Sequence, residues 1–531
     1  MATQLRMDTR TASSDEVEGV EEVDEADEVE EVDETHLQPT SLFLDSASTA
    51  STVSRAGPAL VARPGVVQPH ADTTAPVHGR FVAQTDTSTH ALAALAAAPA
   101  APTRQRTDSR VPVPRVPVPR ARRYWILTAA GKPVYASEAG GEEQVPASVG
   151  VMQAIISIFA DGGDRIRTIR SGNAQIVFYL RAPLYLVAAS EWGDPETILR
   201  SHLDYLYLQL LSVLTKTQLQ RIFAHRDNFD LRRLIDGSDK LFNSLVSSLQ
   251  TDFPLSIGCL QVCRMDPAIR DECSHMLSSS IKDKKLLYAL LVAGRRLVTL
   301  LRPRKHSVYP ADVNLILNTI FASSNSSSSS SSSPSMSIAD TWMPICLPKY
   351  NSSGFLHAFV TFISKRVGIV LIGPDRDAFA DMQHVKEKIA DKLHSTPLLG
   401  QLEDAAREHD YHLHHIPGAP GIRHFAYKSK ANLQVTCPTW EGDYEDDTRK
   451  RRLLSVYHKA YEMLHRKPPV KVVYLRSEHD AVLAWATSSF ELYMAVSAFL
   501  PKATAIKSAH AVSRWVKSEE KTIFLLGSPS F

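Results

Sequence analysis

Short apolar runs, broken by Gly, Pro and Asn, alternate with longer stretches of helical periodicity from residue 124 onward. "YWILTAAGKPVYAS" reads as two strands, 124–128 and 134–137, around a Gly-Lys-Pro turn. A helix is predicted over 147–160, with Val151, Ile155 and Phe159 at i, i+4 and i+8, and Gly162 and Gly163 stop it. Three strands come next: 165–169, "QIVFYL" after the Ser171, Gly172, Asn173 turn, and "LYLVAAS" after Ala182 and Pro183. "GDPETILRSHLDYLYLQLLSVLT" then predicts a helix capped by Asp194, with Pro195 at its first helical position. The order is ββαβββα, with more helices behind.

That order returns twice. "KKLLYALLVAGRRLVTLLRP" is a hairpin and "PADVNLILNTIFA" a helix; "WMPICLP", "GFLHAFVTFI" and "VGIVLIG" are strands, and Asp375 or Asp377 caps the helix "AFADMQHVKEKIADKL". Further on, "RHFAYKSKANLQVTCP" forms a hairpin, "TRKRRLLSVYHKAYEMLHR" a helix, "VKVVYLRS", "AVLAWATS" and "FELYMAVS" three strands, and "TAIKSAHAVSRWVKSEE" a helix. Three copies without residue identity point to a repeated fold. The expected class is α+β: each copy is a five-stranded antiparallel sheet with helices on its faces. The boundaries are 121–283 for the first domain with extra C-terminal helices, 284–415 for the second with a serine-rich loop, and 416–531 for the third. Residues 1–120 combine an acidic block, an Ala/Pro stretch and "RVPVPRVPVPRARR", an extended basic linker, and are expected to lack a core.

Charge sharpens this division. The net charge of +1 conceals 15 acids against two bases in residues 1–50 and three acids against ten bases in 51–123. The acids concentrate at 15–34, a partner-binding or autoinhibitory tail on one reading and a solubilising tail on the other. Five cysteines without a Cys-x-x-Cys pair fit small apolar residues in a reducing compartment. The polar, then acidic start predicts no signal peptide, and no apolar run approaches the roughly 20 residues of a spanning helix. A soluble protein with at most peripheral membrane contact is expected.

No motif of covalent catalysis is present: there is no Gly-x-Ser-x-Gly, no phosphate-binding Gly-rich loop with Lys-Ser/Thr, and no His-Glu-x-x-His. No cofactor or nucleic-acid partner is expected. The cluster "REHDYHLHHIPG" puts His412 and His414 within reach of one strand face, but no Cys or paired carboxylate completes a metal shell, so a solvated linker is expected. Two basic clusters stand out: Arg302, Arg304 and Lys305, and Arg449, Lys450, Arg451 and Arg452. The second lies where a helix begins, and four cations there oppose the helix dipole. A compensating anion is attractive: an anionic lipid or phosphoinositide head group, each surface cation adding about 1 kcal/mol, or the acids of the preceding "EGDYEDD". "TWMPICLPKY" follows eight serines at 326–333, and Pro344 and Pro348 each lack a ladder donor, which predicts a sheet edge. An exposed edge with an aromatic anchor suits strand addition or docking of a partner protein; the alternative is packing of Trp342 and Met343 under a helix.

"YWILTAAGKPVYAS", "VFYLRAPLYLVAAS", "LDYLYLQLLSVLT", "FDLRRLIDGSDKLF", "WMPICLPKYNSSGFLHAFVTFI" and "HFAYKSKANLQ" resemble the SAND family of vacuolar fusion proteins over about residues 121–531. The resemblance implies three longin domains and a heterodimer with a Ccz-type three-longin subunit. It implies guanine nucleotide exchange on the late-endosomal and vacuolar Rab GTPase, without covalent chemistry, in endosome maturation, autophagy and vacuole fusion. It implies a peripheral location on late endosomes, multivesicular bodies, autophagosomes and vacuoles. Paired first domains would form the exchange platform, placing 147–169 at its centre with Gln153, Ser157, Arg165 and Arg167 as candidate polar contacts. Trp342 with Met343 would meet an earlier-acting endosomal Rab as recruiter, and the two basic clusters would meet anionic lipid. A longin scaffold that tethers trafficking machinery without exchanging nucleotide is the alternative, and it shares the fold.

Overall fold

The computed structural model describes residues 42–45, 119–137, 144–281, 286–304, 308–324, 340–407, 411–477 and 479–527. The acidic block, the serine run and Lys305 lie outside the described residues. A lone upstream strand, β1 (Leu42–Asp45), belongs to the third domain's sheet. The first domain consists of β2 (Arg123–Thr128), β3 (Pro133–Ala136), α1 (Gln144–Asp161), β4 (Thr168–Ser171), β5 (Ala174–Arg181), β6 (Leu184–Ser190) and α2 (Glu196–Val213). Its antiparallel sheet runs β3-β2-β6-β5-β4. The period of two sends Trp125 and Leu127 toward α1, and Tyr124 and Ile126 toward α2. Helices α3 (Lys216–His225), α4 (Asp239–Thr251) and α5 (Pro267–Ser280) follow.

The second domain repeats the order with β7 (Tyr288–Ala293), β8 (Arg296–Leu301), α6 (Pro310–Ser324), β9 (Thr341–Leu347), β10 (Asn351–Phe362), β11 (Val367–Gly373), α7 (Phe379–Ser395) and α8 (Leu398–Arg407). The third has β12 (Ile422–Ser429), β13 (Gln434–Thr436), α9 (Asp447–Leu464), β14 (Val472–Arg476), β15 (Asp480–Ala486), β16 (Phe490–Ser497) and α10 (Lys502–Ser518). Their sheets run β8-β7-β11-β10-β9 and β1-β14-β15-β16-β12-β13. The third sheet therefore has six strands: β1, from a region expected to lack structure, pairs parallel with β14, Leu42 opposite Val473 and Asp45 opposite Arg476.

Helices α1, α6 and α9 occupy equivalent places in the three domains, but their surroundings differ. Helix α6 packs on α4 and α2 as well as on its own sheet, and α9 packs on α2, α4 and the turn at Phe253–Ser256. The first domain's C-terminal helices thus form the centre on which the other two domains sit. The chain after α4 stitches all three together: Leu260 exchanges backbone bonds with Leu433 and Val435, and the Cys263 N–H donates to Leu297. Arg270 donates to the carbonyls of Cys263, Lys521, Thr522 and Phe524 at 2.7 to 3.0 Å.

Several local expectations are corrected. Asp194 does not cap α2, which starts at Glu196 behind an extended Pro195 without a side-chain cap. Its carboxylate is buried against Arg122, whose Nε and Nη2 lie 2.7 and 2.8 Å from the two oxygens. Neither Asp375 nor Asp377 caps α7; the Asp375 carboxylate accepts the Asp377 N–H instead. The strand expected at 165–169 is β4 at Thr168–Ser171, because Ile166 folds inward ahead of it. Helix α1 buries Val149, Met152 and Ile156, while Val151 and Ile155 are half-buried and Phe159 is 40% exposed. The helix is apolar on every side, so periodicity alone could not select its inner face.

The Arg122–Asp194 pair anchors a buried polar network between the first and third domains. Arg122 also donates to the Gln250 carbonyl at the end of α4, and Ser190 donates to Asp194. His458 of α9 lies 3.4 Å from Asp194, the Ser455 hydroxyl donates to the Trp192 carbonyl, and Phe253 stacks on His458. His202 sits between the Tyr124 hydroxyl and Ser256, at 2.8 and 3.0 Å. Burial alone would raise the Asp194 carboxyl, but the charge and hydrogen bonds of Arg122 hold it well below the usual range. Burial depresses His202 and His458, aided by the Arg122 charge, and burial takes His424 down to about 3, aided by Lys450.

Two outcomes follow from this network. Asp194→Asn leaves a buried guanidinium unpaired and is expected to cost about 3 to 5 kcal/mol in chemical denaturation; a loss below about 1 kcal/mol would contradict the anchoring role. The three depressed histidines contribute stability that is present above their unfolded value of about 6.5 and lost as pH falls through it. At pH 5.5 all three are expected to destabilise the fold, His424 by roughly 1 kcal/mol, while half-exposed His465, raised by its bond to Glu491, acts weakly in the opposite sense. Urea midpoints measured from pH 7.5 to 5.5 should therefore fall, and His458→Gln should flatten the slope.

Candidate functional site

The first domain leaves one apolar surface uncovered. From Ala147 to Ala160, α1 carries no charged residue, yet its outer face meets solvent: Ile158 is 69% exposed, and Ala154 and Ala160 are also exposed. The adjoining strand β4 is the sheet's edge, and Ile169 and Ile176 beside it are half-buried. Exposed apolar area of this kind marks an interaction surface. The sequence-predicted polar residues do not form one constellation on it. Gln153 turns away and donates to the Ala129 carbonyl at 3.0 Å, bracing the β2–β3 turn. Ser157 is half-buried, while Arg165 and Arg167 are exposed in the loop before β4 rather than on a strand.

Strand β9 is an edge of the second sheet, as Pro344 within it and Pro348 just after it predict, and is paired within that sheet only to β10. Trp342 is half-buried, stacked on His357 at 5.6 Å and meeting the Phe379 ring edge-on at 5.9 Å. Asp340 fixes the strand's start through Lys386 at 3.0 Å and Thr361 at 2.7 Å. Trp342 and Met343 do not share a patch: successive strand residues point to opposite faces, Trp342 toward the α7 side and Met343 toward the α6 side. Phe379, 39% exposed, is the neighbour that extends the Trp342 surface. Sequence reading missed it because it is contributed by a helix start distant along the chain.

The charges at the start of α9 are partly compensated within the chain. Asp446 caps the helix by accepting the Arg449 N–H at 3.0 Å, and Arg449 pairs with Asp443. The Lys450 ammonium lies over the Trp440 ring, 4.8 Å from its centre, and burial lowers its pKa. Arg451 is half-buried and Arg452 exposed. In the other cluster Arg302 is half-buried and Arg304 exposed. His412 and His414 lie on a short turn rather than a strand, their rings stacked at 5.3 Å, with His412 bonded to Glu441. Among the described residues no group of three or more His, Cys, Asp or Glu is arranged to hold a metal, and no helix is long and apolar enough to cross a membrane. Burial pushes the thiols of Cys259, Cys273 and Cys346 up to about 12, so they pack as small apolar groups.

Residues 122–245, 284–391 and 421–520 match, in order, the first, second and third longin domains of FUZ, MON1 and HPS1. The vacuolar fusion protein MON1 of Cryptococcus neoformans is 44% identical over 416 residues, 77% of this chain and 65% of that protein, so the match spans just under two thirds of its length. MON1 homolog A of Gallus gallus is 34% identical over 405 residues, 76% of this chain and 71% of that protein. Protein SAND of Takifugu rubripes is 32% identical over 405 residues, 76% and 75% of the two chains. A bacteriophytochrome structure from R. palustris, 8% identical, covers 75% of this chain and 95% of its own at a TM-score of 0.14, a likeness that carries no argument. With its three longin domains in this order and relatives of this similarity, the chain belongs to the MON1/SAND family of vacuolar fusion proteins.

Proposed function

We propose that this chain is one subunit of a heterodimeric guanine nucleotide exchange factor for the late-endosomal and vacuolar Rab GTPase, acting in endosome maturation, vesicle-to-vacuole transport, autophagy and vacuole fusion. The observation that carries the reading is the charge-free outer face of α1 beside the open edge of β4. The equivalent helices α6 and α9 are covered by the first domain's own helices, so α1 alone of the three retains a large exposed apolar surface for a second three-longin subunit of the Ccz type. Pairing there sets Arg165 and Arg167 at the rim of the joint platform, where they meet the switch regions of the GTPase.

Exchange makes and breaks no covalent bond. The heterodimer must bind the nucleotide-free GTPase more tightly than the loaded one, and this differential affinity speeds release of GDP. Cellular GTP then refills the site. The Trp342 and Phe379 surface at the β9 edge suits the apolar contact of an earlier-acting Rab that recruits the complex, with edge pairing or an aromatic anchor as the mode. Exposed cations such as Arg304 and Arg452 hold the complex on an anionic membrane.

Release of a fluorescent GDP analogue from the late-endosomal Rab is expected to accelerate with this chain and the Ccz-type subunit together and with neither alone. No acceleration by an assembled complex would favour a passive tether. Ile158→Asp is expected to abolish co-elution with that subunit while leaving the lone chain's stability within about 0.5 kcal/mol; retained pairing would move the interface elsewhere. Trp342→Ala should weaken binding to the earlier-acting Rab and leave exchange in solution intact, whereas loss of soluble protein would make the indole a core residue.

A further inference from the structure

A cleft of about 430 Å³ opens where α4 of the first domain meets α6 and the hairpin tips of the second. Neither of the basic clusters recognised in the sequence belongs to it. Arg295 comes from the β7–β8 turn and Arg296 from the first position of β8, Arg366 comes from the β10–β11 turn, and Asn314, Asn318 and Asp252 complete the polar wall. The two turns are tied by the Gly294 N–H donating to the Arg366 carbonyl at 2.8 Å, so Arg295 and Arg366 are held side by side by backbone. Both are exposed, and neither forms an ion pair with a carboxylate among the described residues. Arg295 lies over the Phe321 ring, 5.1 Å from its centre, and Arg366 reaches the Ala406 carbonyl at 3.5 Å.

The acid in the wall does not neutralise this charge. Asp252 accepts the Leu255 N–H at 3.1 Å as the cap of the Phe253–Ser256 turn. The two exposed guanidiniums of Arg295 and Arg366 against this one carboxylate leave an excess of positive charge. Asn318, 6% exposed, donates through Nδ2 to Gln209 at 2.9 Å and to the Leu241 carbonyl at 3.0 Å, while its buried Oδ1 has no hydrogen-bond partner.

We infer that this cleft binds a phosphorylated polyol, an inositol phosphate in chemical class. Guanidinium forks match phosphate oxygens bidentately, and Arg holds that geometry better than Lys. The volume falls within the range of small-ligand sites, roughly 300 to 1,000 Å³. A ligand seated here touches both α4 and the second domain and so stabilises their junction. The same chemistry occurs in a soluble inositol phosphate and in a phosphoinositide head group, and the cleft's place away from the α1 face makes the inference independent of the exchange reading.

The full chain is titrated with inositol hexakisphosphate by calorimetry, and separately with phosphatidylcholine vesicles, plain or doped with phosphatidylinositol phosphate. Arg295→Gln and Arg366→Gln are each expected to weaken binding about ten- to a hundredfold, with the double variant's ligand-free melting temperature unchanged. Binding of the free compound identifies a soluble source, and binding of doped vesicles alone identifies a head group; either supports the site if the double variant loses it. Equal binding by the double variant, binding of neither probe, or loss only on Arg452→Gln would overturn it. GDP release by the assembled pair, measured on the same double variant, should be unchanged, so a failure here is distinguishable from a failure of the exchange reading.

Discussion

The ion pair between Arg122 and Asp194 is the constraint on which the arrangement of domains depends. Both groups are buried, so each is tolerable only while the other is present. Through Gln250 the pair fixes the end of α4, through Ser190 the end of β6, and through His458 the third domain's α9. The first and third domains therefore meet across a polar centre surrounded by aromatic rings, not across an apolar seam alone. Such a centre fixes one relative orientation, because a shift would leave charges and hydroxyls unmatched in low dielectric.

Repetition of one fold produces specialisation by what each copy leaves uncovered. Three helices stand at equivalent positions. Two are enclosed by α2 and α4, and α1 keeps its outer face in solvent. The same contrast separates the sheets' edges: β9 presents an aromatic end at Trp342, while β14 is already occupied by β1. This chain thus offers one apolar surface on its first domain, one aromatic edge on its second, and basic turns on its second and third.

The order of elements was legible because strands and helices in this chain are short, apolar and punctuated by Gly, Pro and Asn. Individual side-chain roles were less so. Asp194 has the sequence signature of a cap, followed at once by proline, but its cap role loses to a cation 72 residues away in sequence that no local pattern reveals. Helix α1 was legible as a helix and illegible as to its face, since apolar residues surround it and part of them meet solvent. The cations of α9 were conspicuous as a run, yet Asp443 and Asp446 engage the first of them. The arginines of the cleft were inconspicuous, because Arg295 and Arg366 become neighbours only when two hairpin tips meet.

The sixth strand of the third sheet has a bearing on how the protein keeps to itself. An edge such as β14 offers unpaired backbone groups to any extended segment, including the same edge on a second molecule. Here Leu42–Asp45 of the same chain already lies along it, in parallel register. Pairing within one chain does not weaken on dilution and does not strengthen on crowding, whereas edge-to-edge contact between copies does both. As long as β1 is seated, the edge of the third sheet is a strand of 4 residues rather than β14, and an edge that short is a poor template for growth.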